Sequence, residues 1–69
     1  MLKVLGERIK YFRNKLGITQ VQLSNMTSIE QPVISRYEND IITPPISKLA
    51  IIANALNVSV TELLGDEPV

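Results

Sequence analysis

Apolar positions recur at helical spacing along nearly the whole chain. Leu5, Ile9, Phe12 and Leu16 are separated by four, three and four residues, which lines them up on one stripe of a helix. Gly17 follows as a C-terminal stop, because glycine accepts the left-handed backbone that closes a helix. Thr19 and Gln22 form a capping box that predicts a second helix, with Leu23 and Met26 turned inward. After the polar break Thr27-Ser28, the segment Gln31 to Asn39 puts Ile34 and Tyr37 on one face, and Pro32 fits only in its first turn. Asn39-Asp40 ends that segment, and Ile41-Ile42-Thr43-Pro44-Pro45 reads as a loop. From Ile46 to Leu56, residues Leu49, Ile52, Ala53 and Leu56 again share a face. Ser59 caps a last helix, Val60 to Leu64, and Gly65 stops it. No strand alternation or internal repeat interrupts the pattern. The expectation is an all-α domain of five short helices over residues 1–65, with 66–69 an acidic tail or the start of a linker.

Composition narrows the chemistry. A chain of 69 residues has room for one small domain. It contains no Cys and no His, which removes disulfides, thiolate metal sites, the commonest metal ligand and the commonest general base. No base stands ready to activate a hydroxyl, no glycine-rich phosphate loop is present, and the carboxylates are scattered. The expectation is therefore no enzyme, no cofactor and no metal. The longest apolar stretches fall far short of the roughly 20 residues needed to span a bilayer, and the start is not a signal peptide. A cytoplasmic protein without a membrane partner is expected.

Seven Lys plus Arg balance seven Asp plus Glu, and a net charge of zero at first argues against nucleic acid as a partner. The distribution changes that picture. Residues 1–29 carry Lys3, Arg8, Lys10, Arg13 and Lys15 against Glu7, a local net of +4. Residues 30–48 carry a net of −1, and the remainder has only Glu62, Asp66 and Glu67, a net of −3. The chain is dipolar, and the division predicts a basic end facing a polyanion and an acidic end facing away.

The second and third helices, separated by about four residues, form a helix-turn-helix. Particular residues make the pattern more specific: Gly17-Ile18-Thr19-Gln20, Leu23-Ser24, Ile34-Ser35-Arg36-Tyr37-Glu38-Asn39, Pro44, Leu49, Ala53-Leu56, and Val58 through Leu64. With these the sequence resembles the phage Cro/repressor-type helix-turn-helix family from about Leu5 to Leu64. The resemblance implies that Gln20 hydrogen-bonds a DNA phosphate and braces the recognition helix. It further implies that Gln31, Pro32 and Arg36 face the major groove, and that Asn39 lies where the backbone is contacted. It matches Arg13 and Glu38 to a buried ion pair tying the first helix to the end of the third.

Side-chain chemistry agrees. With Ile34 inward and ~100° per residue, Pro32 and Arg36 point outward, flanked by Ser35 and Val33. An outward Arg pairs with O6 and N7 of guanine, a Gln pairs with adenine, and Pro32 offers only an apolar contact such as a thymine methyl. Free N–H groups at the helix starts near Gln20 and Gln31 suit phosphates. Five positions depart from the family pattern. Ser28 replaces a turn glycine, Glu30 a capping hydroxyl, Pro32 a polar reader, and Ile41-Ile42 residues that are often basic.

The base-contact set is thus Gln31, Pro32, Ser35 and Arg36, with Gln20 and Asn39 on phosphates and Arg13–Glu38 structural. Tyr37 is assigned to the core. Ile41-Ile42 either folds into the core or meets a second subunit. The reading is a DNA-binding transcriptional regulator, a repressor, acting as a homodimer on a palindromic operator. Ile41, Ile42, Val60, Leu63 and Leu64 would form its dimer surface. The alternative is an antitoxin or adaptor that uses the same fold to hold a protein partner.

Overall fold

The computed structural model describes residues 4–65. Five helices follow in order: α1 Val4–Lys15, α2 Gln20–Thr27, α3 Gln31–Glu38, α4 Ile46–Leu56 and α5 Val60–Leu64. No strand occurs among the described residues. The suggested tail, 66–69, lies outside them.

Each helix places one large aliphatic side chain in the centre. Ile9, Leu23, Ile34, Ile52 and Leu63 are fully buried and come from α1 through α5 in turn. Around them pack Ile29, Tyr37, Leu49, Ala53 and Leu56, with Leu5, Phe12, Ile18, Val33, Val58 and Val60 partly buried at the margin. Such short helices are marginal alone, so this shared centre stabilises all five.

Local chemistry explains the helix ends. Thr19 and Ser59 each accept the N3 backbone N–H, while Gln22 and Glu62 return the bond to the cap residue, giving two complete capping boxes. Three helices close through one arrangement, a left-handed residue with a bond spanning five residues. Gly17, Asp40 and Asn57 hold φ of 74°, 58° and 61°, and Ile18, Ile41 and Val58 donate to the carbonyls of Arg13, Arg36 and Ala53. Ser28 takes the left-handed conformation at the end of α2 without being glycine, at φ 60°.

Two inward assignments are corrected. Met26 is exposed and Thr27 is buried in its place. Thr27 lies only ~40° around the helix from Leu23, closer than Met26 at ~60°. Its hydroxyl is satisfied inside, donating to Leu23 O at 2.8 Å and accepting from Ile29 N at 3.2 Å. Leu16 is also exposed, because α1 stops at Lys15 and the left-handed Gly17 turns the chain away before the stripe is completed.

α1 runs between α3 and α5 and packs against both. Gly6 and Arg13, seven residues apart on α1, meet α3. A Cβ on Gly6 would stand 2.5 Å from Glu38 O and 2.6 Å from Tyr37 O, so only glycine allows this approach. Gly6 N also donates to Asp40 Oδ1 at 3.2 Å, which places a carboxylate on the N-terminal turn of α1. On the other flank Arg8 Nε donates to Glu62 O at 2.6 Å, and the guanidinium lies 5.6 Å from the Phe12 ring centre.

Candidate nucleic-acid interface

The third helix presents two unlike faces. Ile34, Tyr37 and Glu38 are buried, whereas Pro32 and Arg36 are exposed and Gln31 and Ser35 half-buried. Burial of Tyr37 places it in the core. The Arg36 side chain makes no hydrogen bond or ion pair among the described residues, so its planar fork of donors faces solvent unengaged. Pro32 occupies the first turn, where its missing N–H leaves no intrahelical bond unmade. Glu30, at the cap position, makes no side-chain capping bond.

Behind this face runs a continuous polar chain. Arg13 Nε donates to Glu38 Oε2 at 2.6 Å and its Nη2 donates to Glu38 Oε1 at 3.0 Å, a two-point ion pair in the interior. Arg13 Nη1 donates to Ile18 O at 2.9 Å, tying the pair to the turn before α2. Gln20 Nε2 then donates to Glu38 Oε1 at 3.0 Å, and Gln31 Nε2 donates to Gln20 Oε1 at 2.6 Å. The first residues of α2 and α3 are thereby linked to each other and to α1. No buried side-chain polar atom among the described residues lacks a partner, so the network is fully satisfied and rigid.

The remaining sequence-derived residues divide. Asn39 is exposed, but its Nδ2 folds back on Ser35, donating to the carbonyl at 2.8 Å and to Oγ at 3.4 Å. The N–H groups of Gln20 and Val21 precede the first intrahelical donor of α2 and have no partner among the described residues, so they face outward free. Ile41 and Ile42 are exposed, at 69% and 42%, which removes the possibility that they fold into the core. Leu64 is also exposed. The expected contribution of Leu63 to a dimer surface is corrected: it is 0% exposed in the domain's own core and offers no side chain to a partner. Val60 packs against that core.

The cations behind the expected basic face divide: Lys10 and Lys15 are exposed, and Lys3 lies outside the described residues. Of the cations behind the +4 of residues 1–29, Arg13 is buried against Glu38 and Arg8 is bound to the end of α5. Lys15 lies 5.8 Å from the Tyr11 ring centre. Summing charge along a segment ignores that a helix distributes consecutive residues around all its sides.

Sequence reading missed three features. Gly6 carried a signal, since an isolated glycine inside a helical pattern usually marks a close approach. The Asp40 bond to α1 and the Gln20–Gln31 pairing carried none, because both depend on how helices cross.

A buried polar bracket behind an outward-facing third helix defines the class: a five-helix domain built around a helix-turn-helix. The helix-turn-helix family model matches residues 9–63, and the chain belongs to this family. It is similar to the immunity repressor protein of Bacillus phage phi105, 33% identical over 63 residues, covering 91% of this chain and 44% of that protein. It is also similar to the HTH-type transcriptional regulator ImmR of Bacillus subtilis (strain 168), 37% identical over 65 residues, covering 94% and 51%. The chain spans about half the length of these two relatives. In three dimensions it matches the P22 c2 repressor, solved in complex with a synthetic operator, with a TM-score of 0.87 and 32% identity. That match covers 96% of this chain and 100% of the other. The resemblance to Cro/repressor-type domains thus holds for sequence and fold. No helix among the described residues is long and apolar enough to cross a membrane.

Proposed function

We propose that this domain binds double-stranded DNA sequence-specifically as part of a transcriptional regulator, a repressor, with α3 in the major groove. The observation that carries the reading is the combination of a free, outward Arg36 with a third helix held from behind by the Arg13–Glu38–Gln20–Gln31 chain. Affinity for a base edge requires donors already in place, and this bracket orders the helix before DNA arrives. Similarity to the operator-bound P22 c2 repressor, to an immunity repressor and to a transcriptional regulator supports the same reading.

Arg36 donates to O6 and N7 of a guanine, Gln31 pairs with an adenine, Pro32 meets a thymine methyl, and Ser35 lies between them. Phosphates are held by the N–H groups of Gln20 and Val21, by the remaining N–H of the Gln20 amide and by Asn39. One short helix reads only a few base pairs, so two copies act on a palindromic site with half-sites about 34 Å apart. Exposed Ile41, Ile42 and Leu64, with Val60 at the margin, form the contact between copies. Neither a catalytic role nor a cofactor is part of this reading, and the protein works in the cytoplasm beside its DNA.

The test is protection of DNA near the protein's own gene at low salt. Arg36→Ala should weaken binding by about 1–3 kcal/mol and relax selection at one base pair, with thermal stability unchanged. Absence of any protected site for the folded protein would overturn the reading. A co-purifying protein whose binding survives substitution of both Gln31 and Arg36 would establish the antitoxin or adaptor alternative.

A further inference from the structure

We propose that the buried Arg13–Glu38 pair sets the hydrogen-bonding polarity with which Gln31 meets a base, making Arg13 and Glu38 positioning residues for base choice. The proposal rests on the reading of Gln31 as a base contact and adds what decides which base it prefers.

A glutamine amide has two unlike ends, an oxygen that accepts and a nitrogen that donates. In isolation it turns either end toward a neighbour. Here the choice is made in the interior. Both Glu38 oxygens accept from Arg13, so the carboxylate has only acceptor capacity to offer. Gln20 must therefore present its nitrogen to Glu38, as it does at 3.0 Å. That turns Gln20 Oε1 toward α3, and Gln31 must in turn present its nitrogen, as it does at 2.6 Å. What remains of the Gln31 amide is Oε1 together with one N–H, an acceptor beside a donor. Adenine offers the complement in the major groove, an N7 acceptor beside an N6 donor, whereas guanine offers two acceptors. The direction of the whole chain is imposed at Glu38 and transmitted through two amides.

Reversing the first member should reverse the last. In Glu38→Gln the shorter bond from Arg13 Nε, 2.6 Å, keeps the carbonyl oxygen, and the new NH2 takes the place of Oε1, facing Gln20 and displacing the 3.0 Å bond from Arg13 Nη2, a donor that must turn away. Gln20 then turns its oxygen to position 38 and its nitrogen to Gln31. Gln31 accepts from it and presents both N–H groups outward, the pattern that suits N7 and O6 of guanine.

The experiment measures relative affinity for four duplexes differing at one base pair, at each position of the bound site. Gln31→Ala first identifies the base pair whose selection is lost. At that pair Glu38→Gln should lower the adenine-to-guanine preference at least about tenfold, within the roughly 5–150-fold discrimination of a two-point contact. Selection at the base pair assigned to Arg36 should be retained. The double substitution Arg13→Met/Glu38→Leu removes the polar source without leaving a buried charge and should level the preference in a folded domain, checked by circular dichroism. An unchanged adenine-to-guanine ratio in both variants, or an equal loss of affinity for all four duplexes, would overturn the relay while leaving the base contact intact. If Gln31→Ala alters selection at no position, the base reading of Gln31 fails and the relay with it.

Discussion

The two flanks of α1 each use an arginine, and they use it differently. Toward α3, Arg13 is buried and makes a two-point ion pair with Glu38, and a few residues away Gly6 brings the α1 backbone against that of α3. Toward α5, Arg8 is half-exposed, donates one bond to the Glu62 carbonyl and lies over Phe12. An ion pair in the interior tolerates no loosening, since either partner left alone is an unpaired buried charge. A half-exposed guanidinium on a carbonyl exchanges with water at little cost. The contrast shows where the fold concentrates its rigidity, in the seam that holds the outward-facing helix.

Removing the charge on one flank should have the largest effect. Glu38→Ala leaves Arg13 buried without its partner and frees Gln20, with an expected loss of about 3–5 kcal/mol. That is a large share of the roughly 3–10 kcal/mol expected for a domain this small, so urea unfolding followed by circular dichroism should show a low midpoint or no folded baseline. A loss below about 1 kcal/mol would erase the distinction between the flanks.

Gly6→Ala tests the same seam without touching a charge. The added methyl meets two backbone carbonyls as well as the Asp40 carboxylate, and the carbonyls cannot swing aside, so α1 must shift from α3. The helix propensity of alanine favours the substitution by up to about 1 kcal/mol, yet overpacking should leave a net loss of about 1–3 kcal/mol. Urea midpoints check this, and a stabilised variant would show that the close approach can relax.

Arg8→Ala should have the smallest effect, about 0.5–1 kcal/mol, because water replaces the lost bond. Amide hydrogen exchange should quicken in α5 and remain unchanged in α3. Equal quickening in both helices would mean that the two flanks are one cooperative seam.

Legibility in the sequence followed the range of the interactions. The five helices and part of their capping are readable in the sequence because Thr19-Gln22, Ser59, Gly17 and Gly65 act on neighbours within a few residues. The outward set Pro32 and Arg36 followed from helical geometry once Ile34 was placed inward. Arg13 and Glu38, 25 residues apart, were paired only through the family resemblance, for no local rule joins them. Nothing in the spacing of Gln20 and Gln31 showed that the two amides meet, since the crossing of α2 and α3 decides it. Charge divides for the same reason: Arg13 of the basic segment enters a buried pair on one side of α1 and Arg8 a strap on another, while Lys10 and Lys15 stay exposed. Met26 and Thr27 exchanged roles because α2, at eight residues, is too short for its pattern to resolve ~40° from ~60°.

The most direct measurement of the central claim is selection of bound duplexes from a random DNA pool by the folded protein at low salt. Enrichment of a palindromic sequence with half-sites about one helical turn apart is expected, with a guanine position whose selection disappears in Arg36→Ala. A pool that emerges without enrichment, or an enriched motif that Arg36→Ala and Gln31→Ala both leave unchanged, would contradict the account.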